Sequence, residues 1–353
     1  MSLVQTRQLD HGERALSNEA ASASERENRV RYPGPGQPHV ESHFLKANSP
    51  DGQRAIWIKH TLLVPTRGPA MAELWAIAFS EGGRKKRALK RSFPIAAARF
   101  ASAPFRITVP DAELSQGAAR GAIEQAEAAL RWDLRFEMPT QAFLPFPYPR
   151  MYSGGFPRNK TLTPAPDTRV SGEVTAWGER WQLCDWRGAQ GHNWGPSHAE
   201  AYAWAHANAM SPTDSGPLLT DTWLEALTGR VRIGPVVLPW LSVAALSLEG
   251  RLFRFDGLSA LLSRQVAIDA RSYRFTFRQG DARLTAELSA DAAQFAGLRY
   301  EDPDGRALSC LNSKLARGVF RLETGGRTHV LHTSQAALEL GTRSPHHGIR
   351  LLA

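Results

Sequence analysis

The sequence predicts an all-β protein composed of two antiparallel modules. Many short segments alternate apolar and polar residues with the period of two typical of half-buried strands. In "LRWDLRF", for example, Trp132, Leu134 and Phe136 alternate with Asp133 and Arg135. Turn signals such as "QGDA" and "DPDG" separate such segments, and few stretches have a helical period. The 353 residues exceed the ~100–150 typical of one domain, which predicts two domains.

Composition shifts predict where the modules begin and end. Residues 1–39 are polar and finish in the linker "YPGPGQPH", so we expect a disordered or extended N-terminal segment. Between Ser211 and Gly234 the chain carries Pro212 and Pro217 among scattered polar residues, which indicates a boundary. We therefore expect a first module over residues 40–225 and a second, smaller one over 226–353. The segment "AELSQGAARGAIEQAEAALRW" is rich in alanine, but Gly117 and Gly121 favour strands at both of its ends.

Bulk properties exclude several protein classes. Hydrophobic residues make up 42% of the chain, including ten Trp and fifteen Phe, which argues against disorder of the whole chain. Cys184 and Cys310 are the only cysteines, and without a CxxC pair they predict two free, buried thiols rather than a disulfide scaffold or zinc site. No N-terminal apolar region and no run of about 18–20 apolar residues is visible, so a cytoplasmic protein without a transmembrane segment is expected.

The chain is basic, with 43 Lys and Arg against 34 Asp and Glu and a formal charge of +9. Its one dense cluster is "RKKRALKR" at Arg84–Arg91. No helix-turn-helix, zinc-finger or aromatic RNA-binding signature accompanies the cluster, which favours a solvated strand-turn-strand face. We expect no specific nucleic-acid partner, whereas peripheral contact with an anionic membrane stays open.

Familiar catalytic motifs are absent from the sequence. It has no P-loop, no G-x-G-x-x-G after a strand, no H-E-x-x-H and no G-x-S-x-G. Ser197 and His198 are adjacent, and neighbouring side chains on an extended backbone point apart, so they are not expected to form a triad. Hydrolase, kinase and dinucleotide-dependent functions lose support, and no cofactor is expected.

The stretch "GHNWGPSHAEAYAWAHANA" at Gly191–Ala209 is the most unusual in the chain. From residue 201 onwards, Tyr202, Trp204, His206 and Asn208 alternate strictly with alanines. A period of two collects these four side chains on one face of a strand, whereas a helix would scatter them. In a barrel, the alanines would allow close packing behind the strand, and the bulky row would line or fill the interior.

The same stretch supplies the candidate site residues. Its histidines are spaced six and eight residues apart with no cysteine nearby, so a metal site is not expected. Asp185 and Glu200 flank "GHNWG", and Trp186 and Trp194 could desolvate a carboxyl group there, raise its pKa and make it an acid. The alternative is that both carboxylates face solvent or bind loop amides. His192 is the third catalytic candidate, or a loop histidine bound to backbone groups. The expected pocket residues are Trp186, His192, Asn193, Trp194, His198, Tyr202, Trp204 and His206.

Several segments together resemble a known family. The chain carries "ESHFLKAN", "AELWAIAF", "FPYPRMYSGGFPRNK", "WRGAQGHNWGPSHAEAYAWAHAN" and "GLRYEDPDGRALSCLNSKLA" in that order. From Val40 to the C-terminus it is similar to the double-lipocalin group of AttH-like proteins, carotenoid 1,2-hydratases (hydroxyneurosporene synthases) and, more distantly, tocopherol cyclases. The resemblance is sharpest at "GHNWG", Gly191–Gly195. It implies two lipocalin-like barrels packed together and an apolar ligand held in or between them. In the hydratases and cyclases it further implies protonation of an isoprenoid double bond, followed by water addition or ring closure.

Three hypotheses for function follow. The first is a pocket for a hydrophobic small molecule such as a lipid, isoprenoid or polyketide-like compound, either for binding alone or for acid-assisted hydration, cyclisation or isomerisation without a cofactor. The second is docking of the basic surface on an anionic membrane or nucleic acid. The third is a structural or interaction protein whose barrels are filled with side chains.

Overall fold

The computed structural model describes residues 25–32, 34, 36–126, 128–139, 141–233, 235–257 and 265–353. Nearly all of its secondary structure lies in two large antiparallel sheets, which confirms the all-β prediction. The described helices are short: Arg150–Ser153 is α-helical, Glu81–Gly83, Ile95–Ala97 and Ala292–Gln294 are 3₁₀ turns, and residues 25–28 form one helical turn. The disorder predicted for residues 1–24 lies outside the described residues.

The first sheet contains eleven strands. They are β1 (His39–Asn48), β2 (Ala55–Val64), β3 (Met71–Ser80), β4 (Lys85–Pro94), β5 (Arg99–Ser102), β6 (Phe105–Val109), β7 (Ala112–Ser115), β8 (Ala118–Gln125), β9 (Ala128–Phe136), β10 (Lys160–Ala176) and β11 (Glu179–Gly195). Their order is β4-β3-β2-β1-β11-β10-β9-β8-β7-β6-β5. Arg87 donates to the Ala129 carbonyl at 3.4 Å, so the β4 edge approaches β9 and the sheet curls into a barrel. The alanine-rich segment forms β7, β8 and β9, in agreement with the preference for strands.

The second sheet contains ten strands, with a separate hairpin beside it. The strands of this half are β12 (Ala201–Ala207), β13 (Trp223–Arg230), β14 (Arg232–Ile233), β15 (Val236–Val237), β16 (Leu241–Leu248), β17 (Arg251–Phe255), β18 (Val266–Ile268), β19 (Ser272–Gln279), β20 (Ala282–Ser289), β21 (Ala296–Glu301), β22 (Ala307–Thr324) and β23 (Arg327–Thr342). The order is β17-β16-β13-β12-β23-β22-β20-β19-β18, β21 pairs with β22, and β14-β15 is the hairpin. Gln279 accepts from the amides of Asp256 and Gly257, which brings the two ends of the sheet together.

The sheets change between Gly195 and Ala201, because β12 already belongs to the second sheet. The boundary expected at 225/226 falls inside β13. The proline-rich composition that suggested this boundary belongs to the connection between β12 and β13 rather than to a linker between the sheets. The alternating row of β12 does form a strand.

Each sheet encloses its own apolar core, and a third cluster joins the two. In β2, Ile56 and Ile58 pack into the first core, whereas Trp57 belongs to the third cluster with Trp75, Leu298 and Leu308. Both faces of β2 are therefore buried, and all ten of its residues are inaccessible. The core of the second sheet includes Ala203, Ala205 and Ala207 of β12.

The orientation of β12 corrects one expectation. The alanines, not the bulky row, face the interior of the second barrel. Trp204 instead contacts Phe44 of the first sheet at 5.5 Å between ring centroids. Small side chains on the inner face leave room for aromatic residues of the opposite wall, such as Phe275 and Phe277. The large amphipathic side chains thus lie between the barrels.

The cysteines, the basic cluster and the helices are the remaining features of the fold. Cys310 is buried as expected, but Cys184 is exposed, because it lies on the outer face of β11. The cluster Arg84–Arg91 lies largely on β4, an edge strand of the first sheet, where charge opposes pairing with another chain. Within it, Lys90 pairs with Glu73 at 2.6 Å and Arg91 with Asp111 at 2.6 Å. Among the described residues, none of the helices has the length and apolar character needed to cross a membrane.

Candidate functional site

A cavity of about 360 Å³ lies between the two sheets. Strands of both sheets and the loop before β10 contribute to its wall. Its apolar lining includes Val40, Phe44, Trp57, Trp204, Leu227 and Val243. Its polar lining includes Lys59, Asn193, His198, Tyr202, Tyr300 and Glu339. An apolar wall with a few polar groups is typical of sites for small hydrophobic molecules.

Two glycines allow aromatic side chains to occupy the wall. A Cβ atom on Gly191 would lie 2.2 Å from the Phe44 ring, and one on Gly341 would lie 2.1 Å from the Tyr202 ring. Each ring therefore lies against bare backbone of the neighbouring strand, Phe44 against β11 and Tyr202 against β23. Any larger residue at either glycine would displace the ring that lines the cavity.

His198 is the cavity residue best placed for acid–base chemistry. Its Nδ1 lies 2.8 Å from Asp302 Oδ1, and its backbone amide donates to the same oxygen at 2.6 Å. Burial opposes ionisation of Asp302, but hydrogen bonds from His198 and Arg343 outweigh it and lower the pKa of this carboxyl group to about 2. Because the acceptor is a carboxylate, Nδ1 carries the proton and Nε2 is left to exchange one with a ligand.

Lys59 brings a positive charge to the same cavity. Its Nζ lies 3.6 Å from the centroid of the Tyr300 ring and 5.7 and 5.5 Å from the centroids of Trp57 and Trp75. Burial lowers the pKa of this ammonium to about 8. The Tyr300 ring also stacks on His198 at 5.4 Å, so the cation and the acid–base group contact one shared ring.

Buried charges form a network behind the cavity wall. Lys314 donates to Glu339 and to Asn312, both at 2.6 Å, and its side chain is fully buried. Nearby, Glu225 accepts from Trp204 Nε1 at 2.8 Å, and burial raises the pKa of this carboxyl group to about 7. These contacts fix the positions of Trp204 and Glu339 in the wall.

The structure divides the eight expected pocket residues into two groups. Asn193, Trp194, His198, Tyr202 and Trp204 line the cavity. The other three do not. Trp186 packs in the first core against Trp181, His206 donates to the Pro166 carbonyl at 2.7 Å, and His192 lies inside the first barrel.

The three expected catalytic residues all lie outside the cavity lining, for physical reasons that differ. Asp185 is exposed on an irregular turn of β11 at φ +52°, so Trp186 does not desolvate it. Glu200 accepts hydrogen bonds from Arg232, and with Arg343 and Arg306 nearby these bonds lower its pKa, which makes it a poor proton donor. The raised carboxyl pKa expected at these positions is found instead at Glu225.

His192 belongs to a second polar cluster, inside the first barrel. His192 Nε2 lies 2.8 Å from Glu41 Oε1, and the His192 and His43 rings stack at 3.8 Å. Glu41, His43 and His192 each place one potential ligand atom within 4.8 Å of the others, a spacing compatible with metal coordination. Spacing among the histidines of the 191–209 stretch could not reveal it. The available signal was "HVESH", where alternation places His39, Glu41 and His43 on one face of β1.

The same cluster binds the N-terminal segment. The amide of Arg31 donates to Glu41 at 2.8 Å, and His43 Nε2 lies 3.0 Å from the carbonyl of Asn28. Asn28 is itself fully buried and donates to Gln190 at 3.0 Å. Residues 25–31 therefore dock on the first barrel, although the sequence predicted a disordered or extended segment over residues 1–39.

Comparison with known proteins identifies the fold. No family model matches the chain, and no curated protein matches it in sequence. An AttH-like protein of Nitrosomonas europaea superposes with a TM-score of 0.53 at 14% identity, covering 90% of this chain and 98% of that one. Kievitone hydratase of Nectria haematococca superposes with a TM-score of 0.50 at 8% identity, covering 88% of this chain and 92% of that one.

The chain has the AttH-like double-barrel fold. The predicted pair of lipocalin-like barrels is thereby confirmed, and with it the fold-level resemblance read from the segments around "GHNWG". In the AttH-like double barrel of this chain, the "GHNWG" strand lies at the junction of the sheets, with Asn193 and Trp194 on the cavity wall.

Proposed function

We propose that the cavity between the barrels binds an apolar small molecule and that His198 exchanges a proton with it. The observation that carries this proposal is that His198, hydrogen-bonded to Asp302, lies on the wall of a mostly apolar cavity. The Asp302 carboxylate orients the ring of His198 through Nδ1, so that Nε2 can donate a proton to the ligand and recover it later. Proton transfer of this kind is the chemistry that hydration, isomerisation and cyclisation of a carbon–carbon double bond share.

Hydration illustrates how the residues would act. The His198 imidazolium donates the Nε2 proton to one carbon of the double bond, and water adds to the other carbon. The oxonium group formed then returns a proton to Nε2, so the net change is addition of one water molecule. The aromatic wall of Phe44, Trp57 and Trp204 surrounds the developing positive charge with ring faces, which attract cations. A likeness in fold to a protein named as a hydratase supports this choice of reaction.

Ligand binding is tested by filling the cavity. We expect Leu227→Trp to weaken binding of the neutral apolar dye N-phenyl-1-naphthylamine at least tenfold, because the larger ring occupies a wall position that faces the cavity. Leu252→Trp is the matched control, since Leu252 is 44% exposed and should leave binding unchanged. Dye fluorescence titration measures both. Equal affinities of the wild-type protein and Leu227→Trp would contradict a binding function for the cavity.

Proton transfer is tested at His198. We expect His198→Asn to reduce incorporation of deuterium from heavy water into cavity ligands by about 10²–10⁴-fold, with dye affinity retained, because the variant lacks a titratable ring. Mass spectrometry of a panel of unsaturated apolar compounds measures the incorporation. His332→Asn is the matched control: its Nδ1 pairs with Asp214 at 3.0 Å, but the pair does not line the cavity. Wild-type incorporation by His198→Asn would refute the assignment.

A further inference from the structure

Four lysines are buried among the described residues, and one differs from the rest. Lys46 donates to Asn48 at 3.1 Å, Lys160 to the Pro157 carbonyl at 2.8 Å, and Lys314 to Glu339 at 2.6 Å. Lys59 is only 5% exposed, yet its ammonium has no hydrogen-bond acceptor and no ion-pair partner in the part of the chain that the structure describes. A buried charge without an acceptor is costly in a folded protein.

Aromatic rings supply only part of what this cation needs. The faces of Tyr300, Trp57 and Trp75 surround it and attract the charge. A ring face offers π electrons but no lone pair, so these rings give the three N–H donors of the ammonium no conventional acceptor. Because Lys59 lines the cavity, a bound molecule can reach this group.

No carboxylate among the described residues pairs directly with Lys59, although Glu339 and Glu73 attract its charge from a distance. Glu339 is the carboxylate on the wall, and it is already bound by Lys314 at 2.6 Å and Asn312 at 3.0 Å. Glu73, which lies near Trp75, is bound by Lys90 at 2.6 Å. Lys160 adds a second cation to the lining. The cavity therefore combines apolar walls with an excess of positive charge.

We propose that Lys59 binds an anionic oxygen of the cavity's ligand, so that the ligand class is an apolar molecule bearing a carboxylate or a phenolate. This inference rests on the proposed binding function and specifies its substrate class. It also orients the ligand: with the anionic end at Lys59, the adjoining part of the molecule lies beside Tyr300, whose ring stacks on His198. A neutral hydrocarbon would satisfy the walls but leave the ammonium of Lys59 without an acceptor.

The test compares ligands that share one ring system. Binding of 2-naphthoate, an ionised nitronaphthol and methyl 2-naphthoate is measured by displacement of N-phenyl-1-naphthylamine. We expect wild-type protein to prefer at least one of the two anions over the neutral ester by about tenfold or more, since an ion pair in a water-poor cavity is strong. The two anions distinguish the carboxylate from the phenolate.

Variants assign the preference to one residue. Lys59→Met should abolish the preference for the anion while keeping ester and dye binding, because methionine preserves the apolar stem. Lys46→Met is the matched control and should keep the preference, since Lys46 is a fully buried lysine that donates to Asn48 and does not line the cavity. As a measurement that needs no variant, a bound anion should protect Lys59 of the wild-type protein from acetylation, read by peptide mass spectrometry, and the ester should not.

The outcomes separate this inference from the proposed function. If the ester binds wild-type protein as tightly as both anions, or if Lys59→Met keeps the preference for the anion, the role of Lys59 is wrong while the binding function stands. If neither the dye nor any of the three compounds binds, the binding function fails and the inference fails with it. An anion preference lost only in Lys59→Met, with Lys59 protected from acetylation, supports both.

Discussion

Glu339→Gln is expected to lower the free energy of unfolding by about 3–5 kcal/mol, because it removes the counter-charge of a buried lysine. Lys314 is fully buried and donates to Glu339 and Asn312, both at 2.6 Å. Burial already lowers the pKa of Lys314, and the Glu339 carboxylate acts in the opposite direction. Without that carboxylate the folded protein must hold an ammonium among neutral groups or release its proton. Urea unfolding followed by tryptophan fluorescence measures the loss.

The double variant Lys314→Met/Glu339→Gln is the decisive control for this effect. Methionine fills the volume of the lysine stem without a charge, and glutamine still accepts from Asn312. We therefore expect the double variant to recover most of the stability lost in Glu339→Gln, since exchanging a buried pair for neutral residues is often close to neutral. If the double variant were as unstable as the single one, the loss would come from packing and not from the unpaired charge.

Acid is expected to destabilise the protein well before Glu41 and Asp302 take up protons. His43, His60 and His206 are fully buried, and burial lowers the pKa of each, that of His60 to about 3. Below the ordinary histidine pKa of about 6.5 the unfolded chain binds protons that the folded chain refuses. Stability therefore falls as the pH falls, by about 1.4 kcal/mol per pH unit for each such histidine.

The pH window distinguishes the histidines from Glu41 and Asp302. Glu41 and Asp302 have lowered carboxyl pKa values, so their stabilisation persists above about pH 4 and is lost only as the pH falls further. Glu225 and Asp167 act in the opposite direction, because burial raises both carboxyl pKa values, that of Glu225 to about 7, and the folded protein takes up these protons before the unfolded chain does. The contribution of a histidine between pH 7.5 and 5 is therefore read from urea unfolding of a variant compared with the wild-type protein.

His60→Leu should reduce the slope of the unfolding free energy against pH by the contribution of about one proton. The reason is that neither ring nitrogen of His60 has a partner within the described chain. His346→Leu, at an exposed position, should leave the slope unchanged. An unchanged slope in His60→Leu would show that His60 takes up its proton in the folded protein.

Local patterns were sufficient to predict the strands. Alternation in "LRWDLRF" correctly separated the buried Trp132, Leu134 and Phe136 from the exposed Asp133 and Arg135, and the period of two identified β12. Such patterns depend only on neighbouring residues and on the geometry of an extended chain. The same alternation did not tell which face points into a barrel. In β12 the bulky face lies between the barrels, because the alanines pack on the second core.

The candidate site depended on contacts between distant parts of the chain. His198 was expected in the pocket, but its partner Asp302 lies 104 residues away and nothing in the spacing connects them. Asp185 and Glu200 were chosen because they flank an aromatic stretch, whereas one is exposed and the other is held by arginines. Desolvation of a carboxyl group is set by what packs on it, and that is a property of the whole fold.

By itself, the sequence determined that the chain forms antiparallel strands in two modules, since side-chain alternation and turn residues act locally. It also contained the aromatic and histidine row that lies near the cavity. Only the tertiary structure decided that the cavity lies between the barrels and that Lys59 is buried there with no acceptor among the described residues. It likewise decided that Glu339 is committed to Lys314. The physical reason is that a charged side chain is exposed by default, and only packing from remote strands removes its water and selects its partner.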